Sequence, residues 1–541
     1  MGPLRLWPLL ASLAILYAVV AAYVAADIQH NQGHLVYTTD DTYIHMAIAK
    51  SFALHGTWGI SRFAFTSASS SLLWILMLSG TYKIWGVNEG SPLVLNWVFA
   101  TMLIICAYMF LRKHGLRPLY RFGILISLVF LTPMPVLMLT GNEHLTHCFL
   151  TVLFAFLAAR SLSSESRGLK GVLPLAVVAP LIVMARFEGL FMVFVIGCLL
   201  LLRRRFPNAV ILGALALVPV GIYAAISIAE GWYPLPNSVL GRGDLPNFST
   251  VGNVLRAVGY TGYEKLAGTP HVLILVIGSL IATLALLKKG EKVWSEVAIL
   301  NLIFISTTGL HMQFARVRSF FRYEAYLVAL GVVVLGIALN RTGLKVSALE
   351  SRRNRILGLV IAALAMVLAA SPLVGRAVLS LTMIRQAAAN IYEQQYQMGL
   401  FLREFCQGRG VAVNDIAAVN FLADIRCLDL RGLADLRTAA ARRSGSFNPR
   451  WLYELAKTEQ IEIAIIYTKW YDEYGGLPPQ WEEVGCWTIK NNVVTGGATV
   501  SFYAVDPGAR DALISSLRSF SSKLSKSVAQ GGVYLANGVR H

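Results

Sequence analysis

Residues 6–26, LWPLLASLAILYAVVAAYVAA, and residues 38–74, TTDDTYIHMAIAKSFALHGTWGISRFAFTSASSSLLW, decide how this chain is read. The first stretch carries no charge over about 21 residues, long enough at 1.5 Å per residue to cross a bilayer core. It has no A-x-A-type cleavage site, which predicts a retained signal-anchor helix and not a removed leader. Asp40 and Asp41 follow just beyond it. Adjacent carboxylates at a membrane face are costly to keep, so they are read as a candidate site.

Working outward, the composition is that of a polytopic membrane protein. Of 541 residues, 56% are hydrophobic and only 14% charged, and the mean hydropathy is +0.59. The formal net charge of +18 raises the question of nucleic acid. The basic residues, however, sit in short clusters between apolar runs: Arg112/Lys113/Arg117/Arg121, Arg203/Arg204/Arg205, Lys288/Lys289/Lys292 and Arg341/Lys345/Arg352/Arg353/Arg355. That pattern predicts cytoplasmic loops and no nucleic-acid partner.

The doubtful span is 72–85, an apolar run of about 14 residues that is short for a crossing. Counting it would place the Arg112 cluster outside, against the positive-inside rule. It is therefore expected to lie in the outer interface, with Trp74, Tyr82 and Trp85 at that depth. Spans then fall at 6–26, 92–111, 122–140, 146–162, 171–185, 187–202, 208–229, 271–287, 293–310, 324–340 and 356–377. These about eleven crossings put the N-terminus in the cytoplasm and the C-terminus outside. Every mixed polar cluster then falls on the outer face: Asp40/Asp41, Asn142/Glu143/His144, Arg186/Glu188, the 232–242 loop, and His311/Arg316/Arg318/Arg322/Glu324.

The chain is divided into a transmembrane catalytic module over 1–386, with a first outer loop at 27–91, and a soluble outer domain over 387–541. Short β-like runs at 411–415, 425–430, 461–467 and 498–505 alternate with helical patterns such as 448–457, which predicts a small α/β sheet. The tail after Pro507 is expected to be one helix followed by disorder. Cys406, Cys427 and Cys486 lie in this domain, where an oxidising compartment permits one disulfide, and the sequence does not choose the pair. Cys106, Cys148 and Cys198 fall within spans as small apolar residues.

Asp40 and Asp41 open a helical pattern, so they suit an N-cap as well as a general base with a partner carboxylate that binds a cation or orients an acceptor. His45 shares a helix face with Asp41. Glu143, His144 and His147 have spacings that permit a metal, though not the HExxH pattern. Arg186 and Glu188 interrupt an apolar run, either as a mutually neutralising turn or as part of a site. Arg316, Arg318 and Arg322, with His311, crowd an outer loop that should be charge-poor. Guanidinium forks match phosphate oxygens, so a lipid phosphate is the expected ligand.

With these residues in view, DDTYIHMAIAKSFALHGTWG, TSASSSLLW, TGNEH, ARFEG, YPLPNS and VAVNDIAAVNFLADIRCLDLRGLAD resemble bacterial integral-membrane glycosyltransferases of the GT-C superfamily. The likeness, loose over about 6–435, is to the branch of the mycobacterial terminal arabinofuranosyltransferases. GTWGI and LLW depart from the pattern of that branch.

The resemblance implies a bacterial inner-membrane enzyme with its outer domain in the periplasm. Its donor would be a polyprenyl-phosphate sugar, such as arabinofuranose, and its acceptor a glycan, glycolipid or glycoprotein. An aspartate of the first outer loop would act as base with inversion. Asp40 is the expected base. Arg318 and Arg322, or a divalent cation (Mg²⁺, Mn²⁺ or Ca²⁺) held by Asp41, would stabilise the leaving phosphate. Asn237 and Ser238 are expected to bind sugar hydroxyls or phosphate, beside His45, Glu143, His144, Arg186 and Glu188. An outer-face oligosaccharide ligase or polymerase is the nearest alternative. A secondary transporter is the other, although neither an inverted repeat nor matched broken helices is visible.

Overall fold

A computed structural model describes residues 6–165, 168, 171–240, 259–343 and 352–535. Seven helices among these are long and apolar enough to cross a membrane: Trp7–His30, Ser91–Lys113, His144–Ser163, Phe206–Ala229, Pro270–Lys288, Glu296–Phe314 and Ala325–Thr342. Three further expected spans correspond to shorter apolar helices, Pro118–Leu131, Leu173–Ala185 and Gly189–Leu202. The last, 356–377, falls inside the long helix Arg352–Ile391. Phe206–Ala229 leaves Val210, Leu217, Ile222 and Ile226 exposed, whereas His144–Ser163 is almost wholly buried at the centre of the bundle. An apolar exterior around a filled interior is what a helical bundle in lipid presents.

Several expectations need correction. The expected span 122–140 is broken into Pro118–Leu131 and Met134–Leu139. Pro133 and Pro135 supply no backbone N–H, so the ladder cannot run through them. Trp74 and Tyr82 do not face an interface: both are buried as the helix Leu72–Trp85 packs on Asp41–His55, and Trp85 alone of the three is 70% exposed. The loop expected over 232–242 is described as far as Leu240, and its remainder lies outside the described residues, as does Lys345.

At one end of the bundle, Glu324 draws several elements together. It lies 3.2 Å from His271 Nε2 and accepts from Arg376 Nη2 at 3.2 Å and from the Arg318 N–H at 3.1 Å. Arg376 also donates to the carbonyls of Leu131 and Phe321. Glu324 thus belongs to a buried lock between helices, and its charge is matched by donors on every side.

The C-terminal part carries a six-stranded sheet in the order β2-β1-β3-β5-β4-β6. The strands are β1 Gly410–Val413, β2 Arg426–Asp429, β3 Ile461–Ile466, β4 Glu482–Thr488, β5 Thr499–Ala504 and β6 Ala529–Gly531. β1, β2 and β3 are parallel, and the other pairings are antiparallel. The helix expected over 448–457 is Pro449–Thr458, started by Asn448, whose side chain accepts from the Trp451 N–H. Four strands were legible; β4, charged at its start, and three-residue β6 were not. The tail after Pro507 forms the expected helix, Arg510–Phe520, but then returns to the sheet as β6, and residues 536–541 lie outside the described residues.

No disulfide joins Cys406, Cys427 and Cys486, contrary to expectation; all are free thiols. Cys427 lies on β2 and Cys486 on β4, four strands apart in the sheet, or about 19 Å at the usual strand spacing, far beyond bridging distance. Alkylation of denatured, unreduced protein is expected to label all three, and mass spectrometry showing any pair protected would contradict this arrangement.

Candidate functional site

The segment that follows the first helix delivers its two aspartates to a junction between the bundle and the α/β domain. Asp40 adopts helical backbone angles at the start of Asp41–His55, and its side chain does not cap that helix. The capping expectation fails for a specific reason: Asp40 Oδ1 instead accepts from the Ala418 N–H at 3.3 Å, in the first turn of Ala417–Leu422 of the C-terminal domain. Its Oδ2 has no hydrogen bond among the described residues. Asp41 Oδ2 is 3.0 Å from Arg322 Nη2. Arg322 is held in place by the Ser319 carbonyl at 3.3 Å and hydroxyl at 3.1 Å.

These groups line a cavity of about 630 Å³. Its bundle wall contains Asp40, Asp41, Asn237, Ser238, Arg316 and Arg322. Its other wall is built by the carboxyl ends of the parallel strands: Asn414 and Asp415 after β1, Asp429 and Arg431 at the end of β2, and the segment after β3 that carries Trp470. Ligand sites of open α/β sheets lie at this end of the strands.

YPLPNS is pinned across the cleft. The Asn237 N–H donates to the Ser67 carbonyl at 2.8 Å, and Asn237 Nδ2 reaches the carbonyls of Gly432 and Leu433 at 3.2 and 3.5 Å. Ser67, Ser69 and Ser71 of the serine-rich run are buried beneath it, with Ser67 Oγ 2.6 Å from the Tyr223 hydroxyl. Asn237 Oδ1 and Ser238 Oγ have no partner among the described residues.

A smaller chamber adjoins the cleft and collects His45, Glu143, His144 and Arg186. Arg186 forms a fork on Glu188, with N···O distances of 2.6 and 3.2 Å, and donates to Glu143 through Nη1. Its guanidinium lies over Tyr323, 5.3 Å from the ring centre. His45 Nδ1 is 3.5 Å from Glu143 Oε2 and His144 Nε2 is 3.9 Å from Glu143 Oε1. Gly141, at φ 65°, allows the close turn that presents Glu143, since a Cβ there would lie 2.6 Å from the Tyr37 ring. Arg186 and Glu188 neutralise each other, as one of the two sequence readings has it, and Arg186 lines the smaller chamber.

Two expected phosphate ligands lie elsewhere. His311 is fully buried, with Nδ1 bound to the Tyr326 hydroxyl at 3.0 Å and Phe191 at its edge. Arg318 is exposed and turns its guanidinium toward Gly268, away from the cavity lining. The backbone explains this: Arg318, Phe320 and Phe321 all have positive φ, so the loop twists between Arg316 and Arg322 and the arginines do not share a face. His147 lies tilted against Tyr326 with ring centres 4.4 Å apart, one helical turn from His144.

Burial raises the Asp40 carboxyl well above the usual range, and the neighbouring Asp415 and Asp41 carboxylates add to it. Asp415 is likewise raised by burial, against hydrogen bonds from Tyr467 and Gln395. Asp429 is raised by burial to about 6, while backbone N–H groups of Ala434 and Arg431 oppose the shift. Burial lowers the His45 imidazole. Among the described residues no group of three or more His, Cys, Asp or Glu is placed to hold a metal ion. Asp41, the expected cation ligand, pairs with the Arg322 guanidinium.

Sequence reasoning missed Asp415, Arg431, Trp470 and Gln395 as members of the site. VAVND did carry a signal, an aspartate just past the end of a predicted strand; the strand is parallel to its neighbours, and this is the end where α/β sheets place ligand-binding groups.

A sequence family described as a domain of unknown function (DUF8728) matches residues 389–503. No curated protein matches the sequence. Among solved structures, the fold is similar to that of ArnT from Cupriavidus metallidurans bound to undecaprenyl phosphate, with 13% identity, TM-score 0.53, and coverage of 91% of this chain and 98% of that one. The apo state of the same protein gives 12% identity and TM-score 0.52, covering 92% and 98%. The archaeal oligosaccharyltransferase AglB from Archaeoglobus fulgidus, in complex with an inhibitory peptide and a dolichol-phosphate, gives 12% and 0.49, covering 94% and 75%. On the two ArnT comparisons, the chain has that membrane fold, carrying a C-terminal α/β domain.

Proposed function

We propose that the protein is a GT-C-type glycosyltransferase that moves a sugar from a polyprenyl-phosphate donor to a hydroxyl of a glycan, glycolipid or glycoprotein acceptor, with inversion at the anomeric carbon. The observation that carries this reading is the cavity in which Asp40, with one free carboxylate oxygen, and the Asp41–Arg322 pair face the C-terminal domain. The reported structure of ArnT with bound undecaprenyl phosphate supports the donor class.

In this reading Asp40 Oδ2 takes the proton of the acceptor hydroxyl as its oxygen attacks the anomeric carbon. The bond from that carbon to the phosphate oxygen breaks, and its electron pair leaves with the lipid phosphate. Arg322 and Arg316 stabilise the negative charge gathered there. Asn237 and Ser238, whose oxygens lack protein partners, hold donor hydroxyls. The Glu143–Arg186–Glu188 network fixes the floor beneath Asp41 and His45. No step requires a divalent ion.

Incubation of the purified protein with a panel of polyprenyl-phosphate sugars tests the proposal. The panel includes arabinofuranose, because the Asp-Asp loop resembles that branch. Release of free polyprenyl phosphate is expected from at least one donor, and equally with a chelator present. No release from any donor would sink the reading.

The expected orientation, in a bacterial inner membrane with the N-terminus cytoplasmic and the C-terminal domain periplasmic, rests on loop charge. Cysteines introduced near Gly115 and Gly343 are expected to be protected from an impermeant reagent in intact cells, and one near Ser444 labelled. Labelling near Gly115 would reverse the assignment.

A further inference from the structure

We propose that Asp415, a residue of the C-terminal domain, binds the acceptor: its Oδ1 takes a hydrogen bond from an acceptor hydroxyl and thereby aligns the reacting hydroxyl with Asp40. This rests on the glycosyltransferase reading above and adds to it a residue from the other wall of the cleft.

The two oxygens of Asp415 are treated differently by the fold. Oδ2 lies 2.6 Å from the Tyr467 hydroxyl and accepts from Gln395 Nε2 at 2.9 Å. Oδ1 has no hydrogen bond among the described residues, and the residue lines the cavity that Asp40 lines from the opposite side. Asp40 shows the same asymmetry, with Oδ1 anchored on Ala418 and Oδ2 unengaged. Two carboxylates from opposite walls thus each fix one oxygen and leave the other free. Such an arrangement suits a molecule with more than one hydroxyl to donate.

The anchors of Asp415 come from separate elements. Tyr467 follows β3, and Gln395 belongs to the π-helical turn Tyr392–Tyr396 through which the long helix Arg352–Ile391 enters the domain. π-Turns within helices recur at functional sites, and a carboxylate locked by two donors is preorganised for a ligand. The charged groups around it are Asp40 and Asp41 on the bundle wall and Arg431 after β2, with Tyr467 beside it. No ion pair joins Asp415 to Arg431 among the described residues; the Arg431 guanidinium lies instead over the Trp470 ring at 4.6 Å. The carboxylate is therefore not spent on a contact salt bridge. It is also the wrong sign for the donor phosphate, which the arginines of the bundle wall suit.

The test separates donor hydrolysis from transfer. Full-length protein is assayed for release of polyprenyl phosphate to water, and for transfer to a panel of octyl glycosides as acceptor probes. Asp415→Ala is expected to lower kcat/KM for the glycoside by about 10- to 100-fold, the scale of a hydrogen bond to a charged group, chiefly through KM. Transfer should fall about 10-fold or more beyond any change in donor hydrolysis, since water needs no such alignment. Asp415→Asn, which keeps an acceptor oxygen, should recover part of the loss, and Tyr467→Phe should show a weaker form of it.

Unchanged glycoside KM in Asp415→Ala overturns the inference. So does equal loss of hydrolysis and transfer in Asp415→Asn and Tyr467→Phe, which would make the residue structural, and so does wild-type hydrolysis with no transfer to any glycoside. Absence of both reactions in the wild type would instead overturn the glycosyltransferase reading itself.

Discussion

Asp40→Asn is expected to fold, to bind donor near the wild-type level and to lose roughly 10²- to 10⁴-fold in transfer, the usual contribution of general acid–base catalysis. The substitution preserves the oxygen that accepts from the Ala418 N–H, so the contact between the segment after the first helix and the C-terminal domain survives. What it removes is the free oxygen that can take a proton.

The wild-type pH profile should carry the same signature. Burial and the two neighbouring carboxylates raise the Asp40 pKa, and only the deprotonated form is a base. Activity is therefore expected to fall as pH drops through that raised value, earlier than an ordinary carboxylate would allow, and to recover as pH rises through it. The acid limb of kcat/KM against pH reads this directly. A limb at the ordinary aspartate position, together with a fully active Asp40→Asn, would move the base elsewhere.

The membrane fold was legible because periodicity is not needed to see it: long uncharged runs and basic loops give spans and their order by length alone. The break at Pro133 shows the limit, since an apolar run counts as continuous until the missing N–H groups of Pro133 and Pro135 are considered. The acidic half of the site was also legible. Asp40, Asp41, Glu143 and Arg186 stand out as charges in an apolar context and line the two adjoining cavities.

The arginine loop was read less well. Arg316, Arg318 and Arg322 are equivalent in a one-dimensional charge count, and what separates them is a backbone with positive φ at Arg318, Phe320 and Phe321. Arginine and phenylalanine, unlike Gly, Asn or Asp, carry no signal for that conformation. Asp415 was missed because Asp40 is some 375 residues away in the chain: the pairing of the domain wall with the Asp40 segment is a tertiary fact, and a lone Asp after a strand is common.

The separation of the arginines gives the second large expected effect. Arg322→Ala should lower donor kcat/KM by about 1.5–3 kcal/mol of transition-state stabilisation, the range for hydrogen bonds to charged groups. Lysine at the same position should recover only part, because the fork is lost while the charge remains. Arg318→Ala should leave donor use near wild type, since its guanidinium lies beside Gly268 and does not line the cavity. Arg322 also pairs with Asp41, so a loss on truncation has two possible origins, and the double variant Asp41→Asn/Arg322→Ala distinguishes them. If Arg322 served only to neutralise Asp41, removing both charges would restore activity, because no unpaired carboxylate remains. If it holds the lipid phosphate, the double variant stays as impaired as Arg322→Ala alone, for the anion still lacks its guanidinium. Restoration in the double variant, or full activity in Arg322→Ala, would remove phosphate binding at Arg322 from the account and leave Arg316 to carry it.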